Sequence, residues 1–150
     1  MSFRFPLQTL LHFRQSLEHQ QETRLRVANQ RVSRVRHMIE QQDQLIRALQ
    51  IQGENNLRSG TTSAEIRFQL LSQSAATQQK QSLERELLRL ERERDEQQAS
   101  FQLARRERET VEGLRDRQLH EFQRASSRRE QRNIDDLHLL RQAYLRRTRG

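Results

Sequence analysis

The chain has no cysteine and no tryptophan, and only one proline, one tyrosine, four glycines and six phenylalanines in 150 residues. Without cysteine there is no disulfide framework, no thiolate metal site and no cysteine nucleophile, a composition that fits a reducing compartment. Glycines at positions 53, 60, 113 and 150 stand too far apart to build either common phosphate-cradling loop. No apolar run approaches the roughly 20 residues of a membrane span, and the N-terminus lacks the apolar stretch of a secretory signal. Lysine is nearly missing as well: Lys80 stands alone beside 27 arginines. Only 32% of the residues are hydrophobic, too few for the core of an average domain.

What is abundant is arginine and glutamine, which together make up about a third of the chain and are both good helix formers. A chain this polar is either disordered or helical with a narrow apolar seam. Periodicity selects the helix. Leu25, Ala28, Val32, Val35, Ile39, Gln42, Ile46 and Leu49 follow at steps of three and four, the stripe of a coiled coil. Gln42 is a polar lapse that can help set register. Before Leu25, the spacing of Leu7, Leu10, Leu17 and Gln21 is looser, and Pro6 stands where a first helical turn tolerates a missing N–H.

The pattern breaks at Gly53-Glu54-Asn55-Asn56-Leu57-Arg58-Ser59-Gly60, the only turn-like cluster. Thr62 with Glu65 is a capping box that opens a second helix. A second seam runs through Leu83, Leu87, Leu90, Gln97, Phe101, Ala104, Val111, Leu114, Phe122 and Ala125, with lapses at Arg94 and Arg108. Arg89–Glu93, Arg92–Glu96 and Arg105–Glu109 are spaced for weak surface pairs. The expected fold is all-α: one antiparallel coiled-coil hairpin over residues 1–150, with helices over about 6–52 and 62–147 and a turn over about 53–61. A turn centred near residue 57 sets Leu7 opposite about residue 107 and leaves about 40 residues of the longer second helix unpaired, with Gly113 near the junction. That overhang keeps an apolar stripe, including Ile134, Leu137 and Tyr144, and so reads as a binding surface.

Charge is uneven. Residues 1–36 carry +5 and 111–150 carry +4, whereas 37–110 carry −1. A hairpin is expected to gather both basic segments away from its turn. A basic pole of this kind attracts an acidic surface, nucleic acid or anionic lipid.

Catalysis has no foothold. His12, His19, His37, His120 and His138 form no metal-spaced pair, and Asp135-Asp136 and the Glu84/Glu86 and Glu91/Glu93 clusters lack a cleft to separate acid from base. No catalytic, cofactor or metal site is expected. An Arg-rich nucleic-acid-binding coiled coil is the alternative of another class. Against it, the seam already occupies the segment from Arg24 to Arg36, and aromatics for stacking are scattered.

The N-terminus reads Phe3-Arg4-Phe5-Pro6-Leu7-Gln8-Thr9-Leu10-Leu11-His12-Phe13-Arg14, and the C-terminal region holds Leu114-Arg115-Asp116-Arg117-Gln118 and Arg129-Glu130-Gln131-Arg132-Asn133-Ile134-Asp135-Asp136-Leu137. These ends, the length and the two-helix layout resemble the FliJ family of the bacterial flagellar type III export apparatus. The resemblance implies a non-enzymatic stalk, cytoplasmic and peripheral at the inner-membrane flagellar base. Its implied partners are the hexameric flagellar export ATPase, the cytoplasmic domain of the export-gate membrane protein and export chaperones. The implied ATPase contacts are Phe3, Phe5, Leu7, Phe122, Arg128, Arg129, Arg132, Asp135, Asp136 and Leu137; Leu45, Ile46, Leu49 and Phe68 are candidates for the gate, although the residues themselves read more readily as seam. A virulence type III secretion stalk has the same layout.

Overall fold

The computed structural model describes residues 2–150 and contains two helices: α1 over Gln8–Ser59 and α2 over Ser63–Arg149. They pack against each other as a helical hairpin, and no strand occurs among the described residues. Pro6 and Leu7 form a turn that the Gln8 N–H closes onto the Phe5 carbonyl at 3.1 Å, so α1 begins just after the proline. At the other end Gly60 takes φ of +87°, a left-handed conformation that suits glycine and stops the helix. The expected capping box forms at the start of α2. Thr62 Oγ1 accepts the Glu65 N–H at 3.3 Å, and the Glu65 carboxylate accepts the Thr62 N–H at 3.4 Å and the Thr61 hydroxyl at 2.5 Å. These donors hold the Glu65 carboxyl below its ordinary range.

The expected helix end at residue 52 is corrected by the structure, in which α1 runs on through Gly53, Asn55 and Asn56 to Ser59. The reason lies across the hairpin. Gln69 of α2 lies over Gly53, where an added Cβ would come within 3.1 Å of its Nε2, and donates from that nitrogen to the Leu49 carbonyl. Gly53 is thus a close-approach site inside a helix rather than a turn residue. The actual connection is Gly60-Thr61-Thr62.

The chain divides into two compact units, Met1–Leu17 with Ala104–Gly150, and Glu18–Leu103. In the Glu18–Leu103 unit, the α1 seam read from the sequence is the face turned toward α2: all eight residues from Leu25 to Leu49 are buried or half-buried. Val32, Val35 and Leu90 form its core, with Ile39 and Leu87 against them. Burying each such side chain contributes about 1.5–3 kcal/mol before entropy is counted. Polar lapses are satisfied across the pair. Gln42 donates to the Ala76 carbonyl at 2.9 Å, and Gln97 donates to the Gln21 side chain. Arg36–Glu91 at 3.0 Å and Asp43–Lys80 at 2.6 Å lie on the rim, and each such exposed pair contributes little. The Asp43 carboxylate raises the Lys80 pKa above its ordinary value. Each step along α1 meets a step back along α2, so the pairing is antiparallel.

In the unit of the termini, Leu11, Phe5 and Val111 form the core, with Phe3 and Leu10 packed on it. Leu11 is 0% exposed. The Phe3 and Phe122 rings lie 5.6 Å apart at 51°, and Arg14 is ion-paired to Glu107. The unpaired stretch is accordingly shorter than expected. With the turn at residues 60–62, and with Phe3 and Phe5 packing ahead of the helix, contact reaches Phe122, and only residues 127–150 are exposed without interruption. Gly113 therefore lies inside the paired part, where α2 passes through it unbroken. Two expected seam positions turn outward: Leu114 is at the exposed limit and Ala125 is exposed, while Leu119 and Phe122 carry the packing.

Candidate functional site

The surface able to hold a partner is built from what α1 leaves uncovered. Beyond Ser126 the burial of α2 ends, and every residue of 127–150 is exposed. Ile134, Leu137, Leu140, Tyr144 and Leu145 recur at helical spacing, so this stretch keeps an apolar stripe with nothing upon it. Leu140 and Tyr144 are each 67% exposed, so neither belongs to the core. Around the stripe lie Arg128, Arg129, Arg132, Arg141, Arg146, Arg147 and Arg149 against Glu130, Asp135 and Asp136, a net +4 over residues 127–150. Asp135 accepts a hydrogen bond from Gln131 at 3.2 Å, and no ion pair ties these arginines down.

Charge divides by unit more sharply than by the sequence thirds. The unit of the termini carries +7, and the Glu18–Leu103 unit carries +1. The expectation that all basic residues of 1–36 join the terminal pole is corrected: Arg4 and Arg14 do so, whereas Arg24, Arg26, Arg31, Arg34 and Arg36 belong to the other unit, beside the acids of residues 84–96.

The expected ATPase contacts fall into two sets. Phe3, Phe5 and Phe122 face inward and fasten the N-terminal segment to α2. Leu7, Arg128, Arg129, Arg132, Asp135, Asp136 and Leu137 are exposed. The gate candidates divide likewise. Ile46 and Leu49 are half-buried toward α2, while Leu45 is exposed and Phe68 is 73% exposed. Sequence reading passed over Leu57, Ile66 and Leu70, which line a groove of about 370 Å³ beside the turn together with Gln69. Spacing does not mark them, because Leu57 falls in the turn-like cluster and the residues between Thr62 and Leu83 have no clear apolar rhythm.

All five histidines are exposed, three of them beside a glutamine one turn away. Among the described residues no group of three or more His, Cys, Asp or Glu could hold a metal ion, and no helix is long and apolar enough to cross a membrane. Of the expected surface pairs, Arg89–Glu93 closes at 2.6 Å and Arg105–Glu109 at 3.0 Å, whereas Arg92 and Glu96 make no such contact.

Such an arrangement offers exposed apolar and basic helix faces. The family model described as Flagellar FliJ protein matches residues 3–149, nearly the whole chain. The chain belongs to the FliJ family. FliJ-family membership makes it a coiled-coil protein related to flagellar export and protein transport, in a family of non-enzymatic export components. No curated protein and no solved structure matches the chain significantly.

Proposed function

We propose that this chain is the stalk of the flagellar export machinery. It binds the hexameric export ATPase through its uncovered α2 end and links that ring to the cytoplasmic domain of the export gate and to export chaperones. The observation that carries the reading is the stretch 127–149: an amphipathic helix with exposed Ile134, Leu137, Leu140 and Tyr144 and a +4 charge. An apolar stripe of this length in water needs a partner, and arginines beside it select one with acidic walls. Phe3, Phe5 and Phe122 serve this end indirectly by holding the paired root from which it projects. Gate contact is assigned to the exposed Leu45 and Phe68, while Ile46 and Leu49 support them from the seam. The reading places the protein in the cytoplasm at the inner-membrane base of the flagellum. The FliJ-family match favours this flagellar stalk over its virulence counterpart.

Co-purification with the hexameric ATPase and measurement of its turnover test the reading. Reversing Arg128, Arg129 and Arg132 together to Glu is expected to weaken ATPase binding and its activation while leaving helix content unchanged. Unaltered binding refutes the assignment of this end. Gate binding is expected to fall on Leu45→Ala with Phe68→Ala, and loss of helicity in that variant assigns both to packing instead.

A further inference from the structure

The Glu18–Leu103 unit carries a second heptad on α1, one residue behind the first. Arg24, Val27, Arg31, Arg34 and Met38 each precede a seam residue by one position, so they share its spacing and line one flank of it. All five are exposed, Val27 at 41% and Met38 at 44%. The flank is also the wall of a groove: Arg24, Val27 and Arg31 face Glu93 and Gln97 of α2 across about 310 Å³.

Some arginines of the unit are tied to carboxylates, whereas Arg24, Arg31 and Arg34, like Arg67 and Arg85 of α2, are not. Arg36 and Arg89 close onto carboxylates, and Arg26 lies 3.8 Å from Glu22. Arg24, Arg31 and Arg34 make no ion pair, and no acid stands three or four residues from any of them. Glu93, the carboxylate of the groove, is engaged by Arg89 at 2.6 Å. Arg31 and Arg34 are one turn apart, a like-charge spacing that weakens a helix. Solvating α1 does not require this, because Glu22 and Arg26 in the same stretch are set four apart.

We propose that this flank docks an amphipathic α-helix of an acidic protein partner as a third strand. The partner's apolar side chains rest on Val27 and Met38, and its Asp and Glu side chains meet Arg24, Arg31 and Arg34. The heptad spacing commits the occupant to a helix. Residues 24–38 span about 21 Å, two heptads, and a helix laid along them meets a side chain at every half-heptad. A nucleic-acid backbone draws no benefit from two apolar residues set between arginines at that interval. So short an interface makes a weak, reversible contact. The surface shares no residue with the α2 end assigned to the ATPase or with the Leu45 and Phe68 assigned to the gate, so either assignment can fail without the other.

The test is fluorescence anisotropy of a labelled three-heptad peptide with Leu at its a and d positions and Glu at e and g. It is titrated with the full chain at about 150 mM salt, beside a version with Lys in place of Glu and an oligonucleotide of equal charge. Binding of the Glu peptide is expected, and Arg24→Glu with Arg31→Glu and Arg34→Glu should weaken it about tenfold or more and create binding to the Lys peptide. Arg67→Glu with Arg85→Glu and Arg92→Glu, on exposed arginines of α2, should leave it within about twofold. Should the first variant lose helix by circular dichroism, Val27→Asp with Met38→Asp is expected to give the same weakening. No binding, binding indifferent to these reversals, or equal affinity for the Lys peptide or the oligonucleotide overturns the proposal.

Discussion

Replacing Gly113 with alanine should stabilise the protein, and the structure states by how much and why the same change elsewhere should not. Gly113 lies inside α2 with ordinary helical φ, and a Cβ built on it meets nothing within 4 Å. Alanine therefore gains its full propensity advantage, about 1 kcal/mol. For a chain of this size that raises the melting temperature by about 2–4 °C. At Gly53 the same advantage is opposed. The new Cβ would lie 3.1 Å from Gln69 Nε2 and 3.3 Å from its Cγ. Moving Gln69 away sacrifices its hydrogen bond to the Leu49 carbonyl, a loss of about 1 kcal/mol, so the net change is near zero. At Gly60, with φ of +87°, alanine has open space but adopts a left-handed backbone at a cost of about 1 kcal/mol or more. Thermal unfolding followed by circular dichroism at 222 nm should rank the variants Gly113→Ala above the parent, Gly53→Ala near it and Gly60→Ala below it. A Gly113→Ala protein no more stable than the parent, or one less stable than Gly53→Ala, refutes the reasoning. Because Gly113 lies where Leu11 packs on Val111, rather than at the start of the uncovered stretch, ATPase activation should survive the change.

Other outcomes follow from the packing. Leu11→Ala should cost about 2–4 kcal/mol, because Leu11 is fully enclosed, whereas Leu137→Ala on the uncovered stretch should change stability by under about 0.5 kcal/mol; denaturant midpoints of the two variants check this. Replacing Gln21 and Gln97 together by Leu should hold or raise the melting temperature. Gln97→Leu alone should lower it, by leaving the half-buried Gln21 amide without its partner. The Glu65 carboxyl should titrate below its ordinary value of 4.5, since Thr61 and Thr62 donate to its charged form. The stabilisation it lends to the start of α2 is therefore present above the unfolded value and is lost as pH falls through the folded one. Side-chain NMR titration reads the midpoint directly, and Thr61→Val should raise it.

The gate candidates show how far the sequence was legible. Ile46 and Leu49 belong to an unbroken heptad, so their inward facing followed from spacing alone, and the structure turns both toward α2. Leu45 sits one residue earlier in that heptad and is thereby exposed. Phe68 could not be judged in the same way, because the residues after the turn have no clear apolar rhythm until Leu83. The terminal contacts divided for a similar reason. Phe3 and Phe5 precede the helix, where no period applies, and only the packing on Leu11, Val111 and Phe122 reveals that they face inward.

What the sequence determined by itself is therefore everything set within one helix: the helical class, the seam from Leu25 to Leu49 and the capping box at Thr62 and Glu65. A heptad is a local property, because the α-helix's own pitch decides which side chains share a face. Only the tertiary structure decided where the chain turns, how the helices register and where the pairing ends. Those depend on non-local contacts. Gln69 over Gly53 lets α1 run to Ser59, and Phe3 against Phe122 carries the pairing further along α2 than the helix alone would reach. The uncovered stretch is consequently residues 127–150 rather than about 40 residues, and it carries +4 of the chain's +8.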